Sequence, residues 1–122
     1  MDRAVRALRG ATTVDADTPE QVAARTVALL DAMLERNGVD HGELISIVFT
    51  TTPDIVSMFP ATAARAAGLG DVPLLCASEI AVVGATARCI RILLHFTTER
   101  ARDELHHVYL EGARGLRDDL PE

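Results

Sequence analysis

The chain has 122 residues and a mass of 13.1 kDa, enough for one domain over residues 1–122 and too little for two. Twelve basic residues, every one an arginine, stand against 18 acidic ones for a formal net charge of −6, which argues against non-specific binding to nucleic acid or to an anionic membrane, because both need a positive field. No apolar run approaches the roughly 20 residues that cross a bilayer, the start Met1-Asp2-Arg3-Ala4-Val5-Arg6 has no apolar signal core, and two cysteines, Cys76 and Cys89, suit a reduced cytoplasmic protein better than a disulfide scaffold.

Arg3 to Arg9 alternates loosely and reads as a short strand stopped by Gly10. Thr18-Pro19-Glu20-Gln21 then supplies an N-cap, a proline at the first helical position and a glutamine placed to close a capping box. Val22, Thr26, Leu30 and Met33 follow on one helical face until Asn37-Gly38. Leu44 to Thr51 is rich in β-branched residues and reads as a strand cut by a turn at Pro53-Asp54. Pro60 to Ala67 reads as a short alanine-rich helix closed by Gly68, and Val72 to Cys76 as a buried strand entering a loop of small residues, Ala77 to Ala87. Arg88 to Phe96 is the clearest strand, and His106 to Leu110 a shorter one. The order β, α, β, α, β, β, β predicts an α+β fold, a mixed sheet packed against two main helices. Aromatic residues are 3% of a chain that is 48% hydrophobic, so the core must be aliphatic. With a mean hydropathy of +0.17 in so small a domain, an oligomer interface is expected to cover surplus apolar surface.

Period-two alternation over residues 88–96 puts Cys89, Arg91, Leu93 and His95 on one face and Ile90, Ile92, Leu94 and Phe96 on the other. Arg91 thus stands mid-strand among apolar neighbours, where a guanidinium needs an internal carboxylate or an anionic ligand. Taken alone, a salt-bridged or snorkelling arginine explains it as well. Arg9, read at the end of the first strand, is a weak anion-site candidate, and Glu79 is a lone carboxylate between Val72 and Ala87. Tyr109, the single tyrosine, could donate to an anion. His106 and His107 are adjacent and diverge on a strand, His41 and His95 have no partner at ligand spacing, and the cysteines form no CxxC pair, so no metal site is expected. No dinucleotide or Walker glycine motif is present, and no nucleotide or flavin cofactor is expected.

Several stretches in chain order carry a resemblance. They are Arg6-Ala7-Leu8-Arg9-Gly10-Ala11-Thr12-Thr13-Val14, Thr51-Thr52-Pro53-Asp54, Phe59-Pro60-Ala61 with Ala64-Arg65, Val72-Pro73-Leu74-Leu75-Cys76-Ala77-Ser78-Glu79, Cys89-Ile90-Arg91, His107-Val108-Tyr109-Leu110-Glu111 and Leu116-Arg117. Together they resemble the monofunctional, AroH-class chorismate mutases over nearly the whole chain. Thr62 and Leu75 depart from the pattern, standing where some members carry lysine and threonine.

The resemblance implies a homotrimer whose sheets form a pseudo-α/β-barrel, with active sites between subunits, and the rearrangement of chorismate to prephenate without cofactor or metal. It assigns Arg91 to the ether oxygen and a carboxylate, and Glu79 to the ring hydroxyl, with Cys76 nearby. Arg9 and Tyr109 would hold the side-chain carboxylate. Phe59, Ala61, Leu74 and Leu75 would form an apolar wall, in part from the neighbouring subunit, Arg65 and Arg117 would stand at the mouth, and Leu116 would adjoin the substrate. Two other readings compete: a trimeric imine deaminase of similar fold, and a non-catalytic module that binds a dianion.

Overall fold

The computed structural model describes residues 2–116; the expectation for Arg117 lies outside the described residues. β1 (Ala4–Thr13), α1 (Pro19–Asn37), β2 (Leu44–Thr51), α2 (Pro60–Ala64), β3 (Leu74–Ser78), β4 (Cys89–Thr98) and β5 (Val108–Tyr109) follow the expected order. The five strands form one mixed sheet in the order β3-β2-β4-β1-β5. β4 runs antiparallel to both β1 and β2, whereas β3 and β5 are parallel to their neighbours.

Both helices lie on one face. Leu29, Leu30 and Met33 of α1 and Ala61 and Ala64 of α2 bury with Leu8, Ile47, Phe49, Ile92, Leu94 and Phe96 from the sheet. The alternation expected in β4 holds: Ile90, Ile92, Leu94 and Phe96 are buried, while Arg91, Leu93 and His95 face the opposite side. That side carries no helix layer among the described residues. Val5 and Leu75 on it are 59% and 62% exposed, an apolar surface that a soluble monomer rarely leaves bare.

Several boundaries differ from expectation for physical reasons. Gly10 does not stop β1; it pairs with Ile92 and Val108 inside the ladder. A Cβ there would come within 2.4 Å of Met33 Sδ, so this glycine marks the close approach of α1 to the sheet rather than a turn. Arg9 consequently lies mid-strand, opposite Leu93. β3 begins at Leu74, after Pro73, whose carbonyl still accepts from the Ile47 amide at 3.0 Å, and it continues through Ala77 and Ser78. The second helix is shorter than expected: Pro60–Ala64 passes into a π-type turn over Arg65–Leu69, where Gly68 takes φ 101°. β4 extends to Thr98 and β5 shrinks to Val108–Tyr109. Thr18 caps α1 by accepting from the Gln21 amide at 3.2 Å. The Gln21 side chain, however, accepts from the amides of Asp15 and Ala16 instead of closing the box on Thr18.

Candidate active site

A single cross-strand row organises the uncovered face. Thr50 of β2 is opposite Arg91 of β4, Arg91 is opposite Ala11 of β1, and Ala11 is opposite Tyr109 of β5. Partners in register share a face of the sheet, so all four side chains project to the uncovered side. Ala11 is the small member of the row and leaves a dip between the guanidinium and the phenol ring. With Arg9, Val48 and Leu93 of the next row, these residues line a cleft of about 320 Å³.

Glu79 follows β3 and turns over the sheet, its amide donating to the Thr51 carbonyl at 2.9 Å. Its carboxylate meets Arg91: Oε1 lies 3.2 Å from Arg91 Nε, with the two side chains 21% and 42% exposed respectively. Arg91 is therefore less enclosed than its apolar neighbours suggested, and the carboxylate that an arginine at this place requires is Glu79. Arg9 is exposed, and its backbone amide donates to His107 Nδ1 at 3.0 Å. Burial pushes the His107 imidazole below its ordinary value, an effect to which neighbouring His106 adds. Tyr109 is 6% exposed and packs with Ala11, Cys89, Ala113 and Leu116. Burial also pushes the Cys89 thiol up, as suits an inert core cysteine.

The remaining expected site residues separate from this cleft. Phe59 and Cys76 line a second one, of about 330 Å³, at the C-terminal ends of β2 and β3. Cys76 pairs with Phe49 and so faces the helices, as does Leu74 opposite Ile47, whereas Leu75 is on the uncovered face beside Val48. Within one protomer Leu74 and Leu75 therefore face opposite sides of the sheet. Ala61 is 5% exposed and belongs to the core. Arg65 is exposed and donates to Thr62 Oγ1 at 3.3 Å. Phe59 is 69% exposed at the end of a firmly held loop. Asp17 Oδ1 accepts from the Ser57 hydroxyl at 2.6 Å and Oδ2 from the Val56 amide at 2.9 Å, bonds that hold this carboxyl below its ordinary value.

Thr50 and Val48 line the first cleft without having been singled out in the sequence. Their only signal was period two along β2, and it becomes informative once the pairing of β2 with β4 is known. Among the described residues no cluster of three His, Cys, Asp or Glu side chains could hold a metal ion, and no helix is long and apolar enough to cross a membrane.

Comparison with known proteins agrees with this geometry. The family model for chorismate mutase type I matches residues 5–120. The chain is 48% identical over 117 residues to chorismate mutase AroH of Thermus thermophilus, covering 95% of this chain and 96% of that protein. It is 38% identical over 117 residues to the Bacillus subtilis (strain 168) protein of the same name, covering 95% and 92%. A solved chorismate mutase from Clostridium thermocellum superposes with a TM-score of 0.87 at 43% identity, covering 89% of this chain and 97% of that one. Neither the imine deaminase nor the non-catalytic reading gains support from these matches. A sheet with one bare face, an arginine and carboxylate paired upon it and likeness along almost the full length lead to one conclusion: the chain belongs to the chorismate mutase type I family.

Proposed function

We propose that the protein is an isomerase that converts chorismate to prephenate on the route to phenylalanine and tyrosine. The observation that carries the reading is the Arg91–Glu79 pair, 3.2 Å apart, whose arginine lines a cleft with Arg9 and Tyr109. The reaction is a unimolecular [3,3] shift. One carbon–oxygen bond breaks as one carbon–carbon bond forms, and no proton need be transferred. Catalysis then rests on holding the enolpyruvyl arm over the ring and on stabilising the charge that separates as the ether opens.

Arg91 meets Glu79 as an ion pair at Nε, and the outer guanidinium N–H groups donate to the ether oxygen and to a substrate carboxylate. Negative charge grows on that oxygen only as the bond breaks, so this contact favours the transition state over the ground state and raises turnover. Glu79 accepts from the ring hydroxyl and offsets the positive charge developing on the ring. Arg9 and Tyr109 hold the side-chain carboxylate, with Leu116 behind Tyr109.

The two clefts are lined by different residues of the protomer, so the expected site residues are divided between them. A homotrimer resolves this. The uncovered sheet face packs against its neighbours, and the Phe59 and Cys76 cleft of one subunit closes over the Arg9 and Arg91 cleft of the next. In that assembly Arg65 stands at the mouth. Exposed Val5 and Leu75 on the bare face support the assembly, and two free cysteines suit a cytoplasmic location.

The test is to incubate the purified protein with chorismate and follow its ultraviolet absorbance. Disappearance well above the spontaneous rate is expected; a rate equal to the spontaneous one overturns the reading.

A further inference from the structure

Thr50 sits at the centre of the machinery just described without a role in it. Its hydroxyl donates to Glu79 Oε2 at 2.7 Å, while the other carboxylate oxygen, Oε1, faces Arg91 Nε at 3.2 Å. Thr50 is flanked in register by Arg91 on β4 and Ala77 on β3, the latter two residues before Glu79. The hydroxyl is thus fixed to the sheet beneath the pair, and the carboxylate is held between two strands.

A glutamate at the end of a strand has three side-chain torsions and could turn away into solvent. Its backbone is tied to Thr51 through the amide, but nothing in that bond sets the carboxylate plane. A hydroxyl donated to one oxygen does. It pins Oε2 and directs Oε1 at Arg91, and a hydrogen bond to an ionised acceptor is among the stronger kind. The carboxylate so placed holds the guanidinium as an ion pair, its Oε1 3.2 Å from Arg91 Nε.

Resting on the reading of Arg91 and Glu79 given above, we infer that Thr50 is a positioning residue, which orients Glu79 and through it the Arg91 fork for the transition state. Thr50 touches the carboxylate rather than the reacting atoms, so its contribution should fall on kcat, with little effect on KM.

The experiment compares Thr50→Val, Thr50→Ala and Thr50→Ser by chorismate kinetics, with each repeated in a Glu79→Ala background. Valine keeps the branching and volume that suit a strand, so loss of the hydroxyl is separated from loss of fold, and circular dichroism melts check this. We expect Thr50→Val and Thr50→Ala to lower kcat about tenfold to a hundredfold with KM changed less than about threefold, and Thr50→Ser to stay near wild type. Without Glu79, removing the hydroxyl should cost no more turnover, because a residue that acts through another is silent in its absence. Wild-type turnover in Thr50→Val, or an equal loss with and without Glu79, overturns the positioning role. Wild-type turnover in Arg91→Ala and Glu79→Ala instead overturns the reading of the site itself.

Discussion

Asn37, at the last turn of α1, grips the backbone of His106 from both sides: its Nδ2 donates to the His106 carbonyl at 2.8 Å and its Oδ1 accepts from the His106 amide at 2.7 Å. The same Nδ2 donates to the Met33 carbonyl, and the side chain is buried. The link ties the helix to the segment that becomes β5, and so to Tyr109 in the cleft.

Asn37→Ala should therefore act on both stability and binding. The His106 amide and carbonyl lose their bonds to this side chain, at a cost of about 0.5 to 1.5 kcal/mol each. Urea titration should show the midpoint falling with little change of slope. Because β5 is only two residues long and loses its anchor, KM for chorismate should rise while kcat changes less. An unchanged urea midpoint would show that the clamp contributes nothing to stability.

Arg91 should tolerate neither truncation nor a point charge. Arg91→Ala removes a preorganised donor from the developing oxyanion, a loss of about 2.7 to 4 kcal/mol, or two to three orders of magnitude in kcat. Arg91→Lys should fail almost as badly, since an ammonium that pairs with Glu79 cannot also present a planar pair of N–H groups to the substrate. Steady-state kinetics on chorismate decide it, and near wild-type kcat in either variant would remove Arg91 from the chemistry.

What the sequence made legible was local. Thr18-Pro19 marked the start of α1, alternation over residues 88–96 put Arg91 on the face opposite the core, and both survive in the structure. Gly10 resembles a stop in sequence because its purpose, space for Met33, depends on a side chain 23 residues further along the chain. Period two divides Leu74 from Leu75 within a protomer, whereas the wall that the resemblance implies draws in part on the neighbouring subunit. Thr50 was invisible for the same reason as Gly10: its meaning comes from the strands on either side. Of the site, the ionic residues were legible because an arginine among aliphatics is chemically conspicuous. The hydroxyl that orders them was not, since threonine is ordinary in any strand.

The uncovered sheet face makes a prediction about assembly. Val5 is 59% exposed there, near the start of β1 and four residues from Arg9. If this face is the contact between subunits, Val5→Glu buries a carboxylate in each protomer with no partner provided, and the assembly should come apart. Sedimentation velocity should show the wild type at about three times the 13.1 kDa chain mass and the variant largely at the chain mass. Turnover should fall with dissociation if, as proposed, the active site is completed by the neighbouring subunit. A Val5→Glu protein that stays assembled would move the interface elsewhere.

Acid should loosen the loop that carries Phe59 before it unfolds the core. Asp17 is held below its ordinary value of 3.8, first by the Ser57 hydroxyl and then by the Val56 amide; Asp54 is lowered likewise, first by the Thr52 hydroxyl and, less strongly, by the Arg88 amide. Both carboxyls bind protons less readily folded than unfolded. Their stabilisation is complete above the unfolded value and is lost as the pH falls from there through the depressed folded value. The thermal midpoint should accordingly hold level from neutrality to about pH 5 and then drop with further acidification. Asp17→Asn keeps one acceptor oxygen but no charge, so it should lower the midpoint at neutral pH and flatten the acid drop. Differential scanning calorimetry across that range checks both. Parallel curves for the variant and the wild type would mean that Asp17 titrates alike in the folded and unfolded chain, and that the clamp on residues 56 and 57 does not depend on its charge.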